Sequence, residues 1–279
     1  MKRRIFTQAT LTCPRHNKEE AGTIMKNRIK EMLAAGKPVM GTFITLNSPD
    51  LVEIAGIAGF DFVIIDAEHG PMDPESLQNL LRGAELRGAT PVVRIPETSD
   101  TWILKTLDVG AQGIQLPQVN SAEQAARIVR GAKYFPLGNR GVALPRSSSY
   151  GLIPLDRAFE EANRETLIVT HCENVLGLKA LPEIAAVEGV DVLFVGPYDL
   201  SQSLGIPGQI DHPDMKSAIA QVLSVARNAG KPTGIFVTSP EEALRRLDEG
   251  FLYIAWSVDG LIFGDACRTA LRIMRGNRA

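Results

Sequence analysis

Short apolar runs rich in β-branched residues alternate along this chain with longer stretches whose apolar positions recur every three or four residues. The first pattern is that of buried strands and the second that of amphipathic helices. Residues 39–45 read as a strand, and Ser48-Pro49, a cap and a first-turn proline, open a helix carrying Leu51, Val52, Ile54, Ala55 and Ala58. A second strand, 60–65, precedes Asp73-Pro74 and a helix with Leu77, Leu80, Leu81 and Ala84 on one face. The unit then repeats, with strands at 91–95 and 113–119 and helices at 100–107 and from Asn120, which with Glu123 makes a capping-box-like start. A Gly-, Pro- and Ser-rich segment follows to about residue 165, long enough to suggest a functional loop or an interface. Strands at 167–172, 190–195, 233–237 and 251–256 then alternate with helices at 178–187, 215–228, after the capping box Ser239–Glu242, and at 261–274. Eight strand–helix units in succession predict a (β/α)8 TIM barrel over residues 25–279.

Composition narrows the setting. With 279 residues, 44% hydrophobic and 22% charged, the chain has material for a large core, and its net charge of −2 without a basic stripe speaks against nucleic acid. No apolar run is long enough for a membrane span. Cys13, Cys172 and Cys267 are odd in number and far apart, which fits a reducing cytoplasm better than a disulfide framework. Residues 1–24 are basic and polar, lack the apolar core of a secretory signal, and read as a disordered extension, with Met25 a possible start. No GxGxxG follows a strand and no P-loop occurs.

In a barrel the chemistry gathers at the C-terminal ends of the strands. The second strand breaks there into Asp66, Glu68 and His69, which either cap a turn or carry chemistry; the third brings Arg94, the fourth Gln115 and Gln118, the fifth His171 and Glu173, and the sixth Asp199 beyond Gly196-Pro197. A Schiff-base lysine is missing from this end, since Lys231 starts a strand, and the last two loops, TSPEE and SVDG, are not the glycine-rich loops of a phosphate site. Glu173 and Asp199 come from neighbouring strands and could converge, and a divalent cation, Mg²⁺ with Mn²⁺ or Co²⁺ as substitutes, would relieve their repulsion unless one of them pairs with Arg94. His171 shares a strand face with Glu173 and could be a third ligand, a substrate contact or structural; Cys172 faces the other way and reads as packing. Asp66 is the local candidate to fix the tautomer of His69.

The motifs GFDFVIIDAEHGP, VVRIP, LDVGAQGIQLPQV, GNRGV and VDVLFVGPYDLSQSLG together resemble the HpcH/HpaI aldolase family of class II, metal-dependent pyruvate aldolases, from Lys37 to the C-terminus. The resemblance implies that Glu173 and Asp199 hold the metal, that the backbone of Gly196, Pro197 and Tyr198 binds the carboxylate of a 2-oxo acid, and that Arg94 faces the oxygen that becomes an enolate. It implies His69 as general base, assisted by Asp108 of a neighbouring subunit, in a homo-oligomer, a trimer or a hexamer of two trimers, with the last helix packed on a neighbour. His171, Tyr198 and Phe43 depart from the glutamine, alanine and tryptophan common in relatives, and would line the aldehyde end or the carboxylate clamp. The implied reaction is reversible cleavage of a 4-hydroxy-2-oxo acid to pyruvate and an aldehyde. Oxaloacetate decarboxylation, acyl-CoA carbon–carbon lyase chemistry and a non-catalytic binding role are the competing readings, the CoA lyase disfavoured because only Arg140 and Arg146 offer loop charge.

Overall fold

The computed structural model describes residues 26–276, so the extension expected at 1–24 lies outside the described residues. Eight parallel strands close in sequence order: β1 (Val39–Ile44), β2 (Phe62–Asp66), β3 (Thr90–Arg94), β4 (Gly113–Leu116), β5 (Leu167–Cys172), β6 (Val192–Val195), β7 (Thr233–Val237) and β8 (Tyr253–Val258). The expected (β/α)8 barrel is the fold. Pairing of Val39 with Tyr253 and Met40 with Ile254 closes β8 onto β1, so no strand edge is left open.

Side chains alternate along each strand and sort into two cores. On β2, Phe62 and Ile64 enter the barrel interior with Val92, Val169, Val192, Phe194 and Tyr253, whereas Val63 and Ile65 join the layer between strands and helices. The same count by twos carries Asp66 and Arg94, which face each other in register, to the inside of the C-terminal mouth.

Large inward rings require small neighbours. A Cβ on Gly41 would lie 2.2 Å from the Phe62 ring, and one on Gly234 2.7 Å from Phe194. Gly41→Ala is therefore expected to overpack the interior and to cost about 1–3 kcal/mol, read as a lower urea midpoint. Adding Phe62→Leu should recover part of that loss.

The opposite end of the barrel is stoppered by the helix Arg28–Ala34, whose Ile29 and Leu33 are buried in the interior core. Asn27 Nδ2 ties it to the carbonyls of Gln112 and Glu165 at 2.8 and 3.0 Å. Helices differ from the sequence pattern elsewhere too. The segment expected to be irregular contains the 3-10 turn Arg146–Gly151 and the helix Leu155–Glu165, whose Leu155, Ala158, Phe159 and Ala162 recur at helical spacing, with Phe159 stacked on Tyr134. The helix expected at 178–187 is two, Val175–Lys179 and Leu181–Ala185, because Pro182 cannot extend the preceding ladder. The helix after β4 is capped by Ser121 and not Asn120, the Ser121 side chain accepting from the Gln124 amide. No helix among the described residues is long and apolar enough to cross a membrane.

Candidate active site

The strand ends surround a cavity of about 360 Å³, lined by Asp66, His69, Arg94, His171, Glu173 and the 196–199 turn. The groups expected from β2, β3, β5 and β6 thus meet at one mouth. Asp108 does not join them. It ends the helix Asp100–Asp108, which leads into the start of β4, and its Oδ1 accepts from Arg140 Nη2 at 2.7 Å.

Arg94 and Asp66 form a two-pronged pair, Nε to Oδ1 at 2.8 Å and Nη2 to Oδ2 at 2.6 Å, with their side chains 11% and 1% exposed. Nη1 lies 3.1 Å from Glu68 Oε2, and the guanidinium sits 4.9 Å from the centre of the Phe43 ring. Burial alone would lower the Arg94 pKa, but the bonds and charges of Asp66, with Glu68 and Glu173, reverse the shift and raise it. Glu68, by contrast, has its carboxyl pushed up by burial against the pull of Arg94. Two of the five guanidinium N–H groups remain for a ligand.

This pairing corrects the expected role of Asp66. Both of its oxygens serve Arg94, and Oδ1 also accepts the amides of Glu68 and His69 at 3.1 and 3.4 Å. It orders the guanidinium and the turn, and does not orient the His69 ring. That ring is 66% exposed, and the acid beside it, Glu68, is 3.9 Å away, beyond hydrogen-bond reach.

Glu173 is gripped at both oxygens. Oε1 accepts the Gln118 amide at 2.7 Å and Oε2 accepts from His171 Nδ1 at 2.6 Å. Gln118 takes up a φ of 53°, a costly conformation for a side-chain-bearing residue, as it presents that amide. Behind His171, Gln115 Nε2 lies 2.7 Å from His171 Nε2, and Gln115 Oε1 accepts from the Tyr253 hydroxyl at 3.2 Å. The Tyr253 bond turns the amide N–H toward His171, so Nε2 accepts and Nδ1 carries its proton to Glu173. Both ring nitrogens are occupied. His171, left open in the sequence as a ligand, a substrate contact or a structural residue, lines the cavity and holds Glu173 through Nδ1.

Burial would push the Glu173 carboxyl up, yet the field and hydrogen bond of His171, the Gln118 amide and the Arg94 charge hold it below its ordinary value. Burial drives the Tyr253 hydroxyl far upward, which keeps it a donor. Cys172 points outward into the helix layer, as its place on the strand implies, and burial pushes its thiol to about 12.

The donor set fits a hard divalent cation. Glu173 and the exposed Asp199 border the same cavity, and neither pairs with Arg94, whose ion pairs are with Asp66 and Glu68. No group of three or more His, Cys, Asp or Glu is placed to hold a metal among the described residues, so two carboxylates would leave most coordination positions open. A Cβ on Gly196 would fall 2.7 Å from Glu173 Oε2, so the glycine supplies the room in which that carboxylate lies. Gly196 is also the uncapped start of the helix Pro197–Ser203. The Tyr198 and Asp199 amides therefore lack intrahelical acceptors, while Pro197 shapes the turn but has no N–H to offer. Phe194 and Phe236 line the cavity as well and were missed in the sequence; counting by twos from Val192 and Gly234 reaches both. Together, acids suited to a cation, a fixed guanidinium and an accessible imidazole can stabilise an oxyanion and move a proton beside it.

The family profile described as HpcH/HpaI aldolase/citrate lyase matches residues 39–266. The chain is 38% identical over 236 residues to the hydroxypyruvate/pyruvate aldolase of Roseobacter denitrificans, covering 84% of this chain and 91% of that protein. It is 36% identical over 237 residues to the 5-keto-4-deoxy-D-glucarate aldolase of Salmonella paratyphi A, covering 85% and 92%. The crystal structure of an HpcH/HpaI aldolase/citrate lyase family protein from Burkholderia cenocepacia superposes with a TM-score of 0.86 at 33% identity, over 90% of this chain and 100% of the other.

Proposed function

This chain belongs to the HpcH/HpaI aldolase/citrate lyase family, and from that premise we propose that it reversibly cleaves a 4-hydroxy-2-oxo acid to pyruvate and an aldehyde by way of the pyruvate enolate. It is a carbon–carbon lyase of the aldolase type. The observation that carries the reading is that Arg94, clamped by buried Asp66, faces the same cavity as Glu173 and Asp199. Negative charge grows on the keto oxygen only as the carbon–carbon bond breaks, so a guanidinium held there favours the transition state over the ground state.

In the cleavage direction the substrate carboxylate is met by the Tyr198 and Asp199 amides at the helix start. His69 takes the proton from the C4 hydroxyl, the C3–C4 bond breaks, and the electron pair flows into the enolate whose oxygen faces Arg94. A divalent cation held by Glu173 and Asp199, Mg²⁺ or its substitutes Mn²⁺ and Co²⁺, would supply Lewis-acid polarisation of the keto oxygen. Return of a proton from the His69 imidazolium to C3 gives pyruvate and regenerates the base.

Exchange of pyruvate methyl protons for deuterium, followed by NMR, and pyruvate release from a panel of 4-hydroxy-2-oxo acids test the reading. His69→Ala is expected to slow both by roughly 10²–10⁴-fold. Unchanged rates would remove His69 from the chemistry, and a wild type without either activity would overturn the function.

The exposed His69 ring and the distant Asp108 support an oligomer in which Asp108 of a neighbouring copy approaches this histidine. So does the final helix, Asp259–Met274, which buries Asp259 but leaves Phe263, Ile273 and Met274 69%, 71% and 73% exposed. A trimer or hexamer is expected by light scattering, and a monomer would contradict it. The free thiols of Cys172 and Cys267 suit a reducing, cytoplasmic setting.

A further inference from the structure

The far wall of the substrate cavity is aromatic. Phe43 meets Phe236 edge-on, with ring centres 5.7 Å apart at 72°, and Tyr198 meets Phe236 at 6.0 Å and 62°. Tyr198 and Phe236 also line a second hollow of about 140 Å³, bordered by Arg245, Asp211 and Glu242. The two rings are thus a partition, with the pyruvate-binding groups on one side and an exposed guanidinium on the other.

Charge sharpens the point. The cavity is lined by the acids Asp66, Glu173 and Asp199, and Arg94 is its only Lys or Arg among the described residues. Arg94 already bonds Asp66 and Glu68, and its remaining donors face the keto oxygen of the pyruvate half. The helix-start amides are committed to the first carboxylate. A second carboxylate, carried on the aldehyde, would therefore meet ring carbons and the cavity's own acids with no further cation lining the cavity to pair with it.

We infer that the aldehyde handled by this enzyme is uncharged and carries an apolar tail, and that the Tyr198–Phe236 partition enforces this by closing the cavity off from Arg245. The inference rests on the pyruvate reading above. In the addition direction, C3 of the enolate bonds to the aldehyde carbon and the carbonyl π electrons pass to its oxygen. That oxygen takes up a proton, balancing the one lost from the pyruvate methyl group. No redox partner is involved.

The experiment supplies the Mg²⁺-loaded oligomer with pyruvate and either butanal or 4-oxobutanoate, which share a four-carbon chain and differ at the far end in a methyl group or a carboxylate. The wild type is expected to favour butanal in kcat/KM by roughly 10–100-fold. Tyr198→Ala should open the partition and move that ratio toward 4-oxobutanoate, with Phe236→Leu a second, smaller opening. Arg245→Ala added to Tyr198→Ala should restore the preference for butanal, and Arg245→Ala alone should leave the wild-type ratio unchanged. Equal use of the two aldehydes by the wild type, or a preference for 4-oxobutanoate, would overturn the inference while deuterium exchange into pyruvate still proceeds. A ratio unmoved in both ring variants would overturn the partition. Absence of exchange would overturn the pyruvate reading itself and this inference with it.

Discussion

Arg94→Ala is expected to lower kcat/KM for pyruvate release by about 10²–10³-fold and, separately, to destabilise the fold by about 3 kcal/mol. The two effects have different origins. Catalysis, on the proposed reaction, loses the donors assigned to the developing enolate. Stability falls because Asp66, 1% exposed, keeps its charge with no cation beside it. The two backbone amides it accepts soften that penalty without cancelling it. Adding Asp66→Asn to Arg94→Ala should recover much of the stability, measured by urea denaturation, and none of the activity. Arg94→Lys should also remain slow, because one ammonium cannot span both Asp66 oxygens and still reach the substrate. Recovery of turnover in the double variant would take Arg94 out of the mechanism.

Removal of divalent cations is the second large effect. Chelation with EDTA should cut pyruvate release by on the order of 10³-fold, the rate equivalent of several kcal/mol of transition-state stabilisation, and Mg²⁺, Mn²⁺ or Co²⁺ should restore it. Glu173→Gln should weaken Mn²⁺ binding, read by calorimetry without any turnover, because the amide keeps the shape and loses the charge. His171→Ala should weaken it less, by roughly 10–100-fold, since the carboxylate survives but loses the Nδ1–H bond that aims it. Turnover that survives chelation, or Mn²⁺ binding indifferent to Glu173→Gln, would refute the assignment of the two acids.

Much of this site is legible along the chain because strand periodicity is a local property. Phe62 and Ile64 set the parity that puts Asp66 inside, Val92 does the same for Arg94, and His171 for Glu173. The break from apolar to polar at the end of β2 marks the mouth. Helices were less legible where a short apolar period follows a Gly-, Pro- and Ser-rich stretch, as in Leu155–Glu165, or where a proline divides one periodic run in two, as at Pro182.

Partners were the hardest to read. Asp66 has His69 three residues away, yet its carboxylate goes to Arg94, 28 positions along the chain, because adjacent parallel strands set them opposite each other. Tyr253, Gln115, His171 and Glu173 form one line of hydrogen bonds although 138 positions separate its first two members.

Residue order and periodicity are short-range properties, and they were enough to establish eight strand–helix units, the inward parity of each strand and the acids, imidazole and guanidinium brought to one end. The hydrogen bonds those groups make are not short-range. They required the closed barrel, because only closure decides which strands are neighbours, how near their side chains come, and that two rings, one from β7 and one from the helix after β6, stand between the cavity and the hollow that Arg245 borders.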